Sequence, residues 1–236
     1  MTASGAPRTG EGARRDARAD LVELCARGVD WRLDASRTIT LGPATRPAAV
    51  LVLFGRLDDA PSDASPGAVP SVPADLDVLL QRRAGTLGHH AGQVAFPGGR
   101  LEPTDDGPAA CALREANEEV GLDITGVEVL GTLAPLPVPV SDHLVTPVPA
   151  WWTRPSRVAA VDHAETVDVF RIGVADLADP ANRASVEHRR AGSVVRTPAF
   201  VVGDVTVWGF TAIVLARLLD EVGWSVPWDT RRTVEP

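Results

Sequence analysis

The chain has 236 residues, a formal net charge of −8, 44% hydrophobic and 23% charged residues, which allows one domain with a sizeable core or two small ones and excludes disorder throughout. The acidic balance argues against a general nucleic-acid binder, which carries a basic face, yet leaves room for a small anionic substrate whose charge a bound metal offsets. All 23 basic residues are arginine, which excludes a Schiff-base lysine and the lysine of a phosphate-binding loop.

In chain order, residues 1–20 read as a flexible tail. They lack the apolar core of a signal peptide, and Glu11, Asp16 and Asp20 argue against a transit peptide. Residues 21–29 predict a short amphipathic helix and 48–55 a buried strand. Residues 56–77, rich in Pro, Ala, Ser and Asp, predict a long loop, and 78–83 a second strand. The segment 92–99 reads as a short strand ending in a Pro-Gly-Gly turn. An acidic loop follows, with Pro108 placed for a first helical turn, then a helix over 108–120 stopped by Gly121.

Beyond it, 127–140 and 144–152 predict strands joined by Pro-rich turns, 166–172 another strand, and 173–180 a short helix ended by Pro180. Residues 193–209 predict a hairpin turning near Gly203-Asp204, and 210–223 a closing helix. The stretch 199–219 has the length of a membrane span, but Gly203, Asp204 and Arg217 interrupt it, so it is read as core. Cys25 and Cys111 fit no metal or redox spacing and read as buried free thiols of a reducing compartment, so a cytoplasmic location is expected. Many strands with few helices predict a mixed α/β or α+β sandwich, not a doubly wound parallel sheet.

The helix over 108–120 carries Glu115, Glu118 and Glu119 on one face, by their i, i+3, i+4 spacing. Each opposes the negative end of the helix dipole at a cost of roughly 0.3–1 kcal/mol. Three clustered carboxylates offer hard oxygen ligands suited to Mg²⁺ or Mn²⁺ and not to zinc; the bland alternative is a solvated acidic face. Upstream stand Gly99 and, five residues between, Asp105; Arg114 directly precedes Glu115, and Gly121-Leu122 close the run.

This constellation resembles the Nudix box, G-x5-E-x7-R-E-U-x-E-E-x-G-U, where U is a bulky aliphatic residue. Three positions depart: Asp105 replaces the first Glu, one extra residue precedes Arg114, and Ala116 is small for its place. The preceding segment LLQRRAGTLGHHAGQVAFPGG (79–99) is similar to the coenzyme A pyrophosphatase branch, LLTxR[SA]x3Rx3Gx3FPGG. Leu79, Leu80, Arg83, Ala84, Gly92 and Phe96-Pro97-Gly98-Gly99 fit; Gln81 replaces Thr and Gly88 replaces the second Arg. VWGFTAIVLARL (207–218) resembles the WGxTA helix start of the same branch, with Thr211 bracing the helix and Trp208 read as core.

The resemblance implies a Nudix α/β/α sandwich with a mixed β-sheet over 21–236, and a metal-dependent hydrolase using Mg²⁺ or Mn²⁺. It implies Glu115, Glu118, Glu119 and the Gly99 carbonyl as metal ligands. Arg114 braces the glutamates, and Glu118 or Glu119 serves as base, unless a residue outside the box does so. Glu165 is a further metal ligand or base, or equally a surface residue. Arg82, Arg83, His90 and Gln93 are the expected substrate-binding residues. The expected substrate is coenzyme A or acyl-coenzyme A, cleaved at its diphosphate. The alternatives are another nucleoside diphosphate derivative, such as ADP-ribose or a dinucleotide, and a non-catalytic nucleotide-sensing domain. The implied partner is the small molecule itself, without nucleic acid or membrane; a homodimer is left open.

Overall fold

The computed structural model describes residues 16–32, 45–56, 72–85, 92–139, 141–164, 166–190 and 193–235. The strands are β1 (Arg46–Arg56), β2 (Leu76–Arg83), β3 (Val94–Ala95), β4 (Gly98–Arg100), β5 (Val127–Val129), β6 (Leu136–Val138), β7 (His143–Trp152), β8 (Thr166–Gly173), β9 (Arg183–Arg190), β10 (Ser193–Val202) and β11 (Val205–Val207). The helices are α1 (Ala17–Arg27), α2 (Pro108–Val120), α3 (Val174–Ala178) and α4 (Gly209–Glu221).

β1 organises the main sheet, whose order is β3-β2-β1-β7-β5, with β4 also on β1, β6 on β7 and β8 on β2. The β1–β7 pair is parallel, while β2 and β4 run antiparallel to β1, so the sheet is mixed. β1 is buried on both faces, which is why it reads as an unbroken apolar run. Ala49, Leu51 and Leu53 pack with Cys111, Ala112, Ala116 and Val120 of α2. Val52 and Phe54, one step out of phase, pack with Leu21 and Leu24 of α1, Leu177 of α3 and Leu215 of α4. The result is an α/β sandwich with helices on both faces.

β9, β10 and β11 form a second, antiparallel sheet. Phe200 and Val207 join it to the core beneath α4. None of the described helices is long and apolar enough to cross a membrane.

Several boundaries differ from expectation. α1 starts at Ala17, because the Asp16 carboxylate accepts the Arg18 backbone N–H at 3.1 Å and caps it, so 17–20 are helical and not tail. Residues 1–15, and 57–71 of the expected long loop, lie outside the described residues. Gly98-Gly99 are strand, not turn. They pair with Val50 and Ala49, and a Cβ on Gly98 would stand 2.3 Å from the Ala49 carbonyl oxygen.

The segment 127–140 splits into β5 and β6, with prolines in and around the gap. Pro180 both follows α3 and opens a single 3-10 turn, Pro180–Asn182. β9 was not anticipated: Arg183, Glu187, Arg189 and Arg190 disguise in the sequence a segment whose first half, Arg183 to Val186, is buried throughout.

Candidate active site

α2 positions the acids. Pro108 opens it and Gly121 closes it in the left-handed conformation, φ 64°. The Gly121 N–H returns to the Asn117 carbonyl at 3.0 Å, and the Asn117 side-chain amide donates to the Leu122 carbonyl at 3.0 Å. The last turn is thereby held while three glutamates crowd it.

Arg114 is the hub of one side. Its Nε and Nη2 donate to the two Asp105 oxygens, both at 3.0 Å, and Nη2 also reaches the Arg100 carbonyl at 3.1 Å. Nη1 lies 3.0 Å from Glu115 Oε1 and 3.0 Å from Glu118 Oε2. The bidentate bond from Arg114 pulls the Asp105 carboxyl down to about 2. The same bond raises the Arg114 pKa further above its already high value. The shorter acid and the extra residue of the box therefore still close the clamp between the loop and the helix.

Glu119 is the buried member, 8% exposed. Its Oε2 accepts the Gly98 backbone N–H at 2.8 Å and the Gln81 carboxamide Nε2 at 2.7 Å, while Arg83 Nη1 stands 3.8 Å from Oε1. Burial pushes its pKa up to about 7 against the pull of these donors. Burial also raises Glu115, opposed by Arg114. Glu115 lies against Gly99, where a Cβ would come within 2.4 Å of its carboxyl; only glycine admits that approach. Glu118 is the outer acid, its side chain 57% exposed.

The strands explain the aim. Gly99 pairs with Ala49, which faces α2, so Gly99 faces α2 as well. Gln81 follows Leu79 on the α2 side of β2 and pairs with Val169 there. A cavity of about 360 Å³ opens beside β4, lined by Arg83, Gln93, Phe96, Gly98, Gly99, Phe210 and other, mainly apolar, side chains. Arg83 thus faces both Glu119 and the cavity.

Of the expected site residues, Arg114, Glu115, Glu118, Glu119 and Gly99 fall in one neighbourhood, and Arg83 and Gln93 border it. Arg82 makes no ion pair among the described residues and does not line the cavity. His90 and Glu165, with Gly88 and His89, lie outside the described residues. Trp208 packs beside Ala184, Val186 and Ala199 and also lines the cavity, so it is core and wall together. Thr211 braces α4 by donating to the Val94 carbonyl at 3.0 Å.

Sequence reading treated Gln81 as a departure and overlooked Thr166, whose hydroxyl donates to Gln81 Oε1 at 3.0 Å. The available signal was a lone amide on the buried phase of an apolar strand.

Among the described residues no three His, Cys, Asp or Glu side chains converge as a ready metal cluster. The residues nevertheless suit a hard divalent cation: two desolvated carboxylates meet β4, Glu115 against Gly99 where a Cβ would stand and Glu119 on the Gly98 N–H, and both offer oxygen ligands. The Gly99 carbonyl lies on β4 beside them, with the Cys111 thiol 3.6 Å away.

A family model described as NUDIX domain matches residues 65–190. A protein described as "Uncharacterized Nudix hydrolase NudL" from Photorhabdus laumondii is 36% identical over 145 residues, covering 61% of this chain and 76% of its own. One of the same description from Yersinia pestis (strain Pestoides F) is 36% identical over 146 residues, covering 61% and 72%. Among solved structures, RenU, a Nudix hydrolase from M. smegmatis, superposes with a TM-score of 0.38 at 22% identity, covering 57% of this chain and 74% of that one. The NUDIX domain of Shewanella oneidensis NrtR, complexed with ADP ribose, gives 0.40 at 18% identity, covering 65% and 83%.

Proposed function

The chain belongs to the Nudix hydrolase family, and on that premise we propose that it cleaves the diphosphate bond of coenzyme A or an acyl-coenzyme A, releasing adenosine 3′,5′-bisphosphate and the (acyl-)4′-phosphopantetheine. The observation that carries the chemistry is the half-buried Glu115 and the buried Glu119 against Gly98-Gly99, at the edge of a cavity bordered by Arg83. The coenzyme A assignment rests on the segment from Leu79 to Gly99 that leads into the acidic helix.

Glu115, Glu119 and the Gly99 carbonyl would hold Mg²⁺ or Mn²⁺, with Glu118 and Glu165 as further candidates. Such a cation, when bound, supplies charge neutralisation at the phosphoryl oxygens and acidifies water. Arg83 orients a phosphate oxygen at the cavity edge through its guanidinium fork. Arg114 holds Glu115 and Glu118 from behind and keeps the 100–105 loop on the helix. With Glu119 committed to the cation, Glu118, the exposed outer acid, or a residue outside the helix accepts the proton that attack at phosphorus releases.

Incubation of the whole chain with coenzyme A and Mg²⁺, read by product mass, tests the assignment. The two named products are expected. Intact coenzyme A beside turnover of ADP-ribose would overturn the substrate and favour the other nucleoside diphosphate derivatives, a reading that Gly88 in place of an arginine supports. Glu119→Gln should slow hydrolysis at least tenfold, about 1.4 kcal/mol of transition-state stabilisation. Unchanged turnover in that variant would remove the role given to Glu119.

A further inference from the structure

The geometry points to Gln81 as a positioning residue for Glu119, locked in turn by Thr166, so that the buried carboxylate presents one defined oxygen to a divalent cation. This inference rests on the metal-dependent reading above. Gln81 is fully buried and lies on β2, in contact with the Nudix helix but 38 residues from Glu119 in sequence.

The bonding runs in one direction. The Thr166 hydroxyl donates to Gln81 Oε1 at 3.0 Å, and Gln81 Nε2 donates to Glu119 Oε2 at 2.7 Å. Thr166 is itself 1% exposed. An ionised carboxylate accepts hydrogen bonds only, so the amide must turn its NH₂ toward Glu119 and its oxygen toward the hydroxyl, which fixes its orientation. Oε2 also takes the Gly98 N–H at 2.8 Å. Both short donors therefore fall on Oε2, while among the described residues the cation nearest Oε1 is Arg83 at 3.8 Å, beyond hydrogen-bond distance.

Oε1 is thus the oxygen left for a metal ion, and the pair of donors on Oε2 sets its direction. A ligand carboxylate held by a buried outer partner is the usual way proteins orient such groups.

The test measures Mn²⁺ binding to the metal-free chain of 236 residues by electron paramagnetic resonance, beside kcat and KM. Gln81→Met keeps the side chain's length and removes both polar atoms. It should weaken Mn²⁺ binding about tenfold and lower kcat, with KM held within about twofold. Thr166→Val should move both in the same direction by less. The double variant should match Gln81→Met alone, because the two residues form one chain of bonds.

Mn²⁺ affinity within about twofold of the parent in folded Gln81→Met would overturn the inference, an outcome that a merely space-filling amide predicts. Should that variant fail to fold, unchanged Mn²⁺ affinity in Thr166→Val overturns it equally. Glu119→Gln separates the two levels. If it leaves Mn²⁺ binding intact, the metal-dependent reading fails and takes this inference with it. If it abolishes binding while Gln81→Met does not, only the role of Gln81 falls.

Discussion

Asp105 and Arg114 show how one charge pair can hold a loop to a helix. Both oxygens of the acid are bonded to the guanidinium, and the Asp105 side chain is almost fully covered, 4% exposed. A carboxylate whose pKa is lowered contributes stability above its unfolded value of about 3.9 and loses it as pH falls through the folded value. With Asp105 held to about 2, Asp105→Asn should melt below the parent at pH 7, and the gap should narrow between about pH 4 and pH 2. A gap unchanged on acidification, followed by circular dichroism, would show that the pair is not its source. At this scale the i, i+4 bond from Arg114 to Glu118 was legible, because helical spacing alone brings those residues together. The bond from Gln81 to Glu119 was not, because it depends on which strand lies beneath the helix.

The helix that carries the glutamates opposes its own dipole, and its C-terminal cap offsets part of that. Gly121 sits at φ 64°, and among the described residues an added Cβ would meet only Val161 Cγ2, at an ordinary 3.5 Å. A substitution there is therefore a test of backbone conformation and not of space. Gly121→Ala should cost about 1–2 kcal/mol in urea denaturation, and Gly121→Asn less, since asparagine tolerates the left-handed region. Equal losses from the two would point to a different origin. α2, β1, β2, β8 and α4 were legible from periodicity and from their Pro and Gly boundaries. β4 was misread because Pro-Gly-Gly signals a turn wherever no neighbouring strand demands the glycines. Here the close approach of Gly98 to Ala49, and of Gly99 to Glu115, demands them. β9 was missed because its arginines hide a strand that only β10 and the core beneath could reveal; Arg183 is buried, stacked on Phe200 and Trp228.

Across the whole molecule, Trp224 joins three separately predicted pieces. It follows α4, meets Phe54 of β1 edge-on at 6.2 Å, and donates its Nε1–H to Asp20 of α1 at 3.1 Å. It is 1% exposed. Trp224→Ala should therefore cost about 3–5 kcal/mol and loosen α1 together with the C-terminal end of α4. Urea denaturation gives the energy, and hydrogen exchange tells whether both helices loosen; a loss below about 1 kcal/mol would deny it that place. The sequence by itself determined the helix with its three carboxylates, its glycine stop, its Nudix pattern and the sandwich that goes with it, because these follow from spacing along one chain. Only the tertiary structure decided that Asp105 clamps Arg114, that Gly98-Gly99 form a wall instead of a turn, and that Gln81 and Thr166 stand behind Glu119. Those are contacts between residues far apart in the chain. Hydrophobic burial on the two faces of β1 brings them together, and no periodicity records which polar atoms then meet.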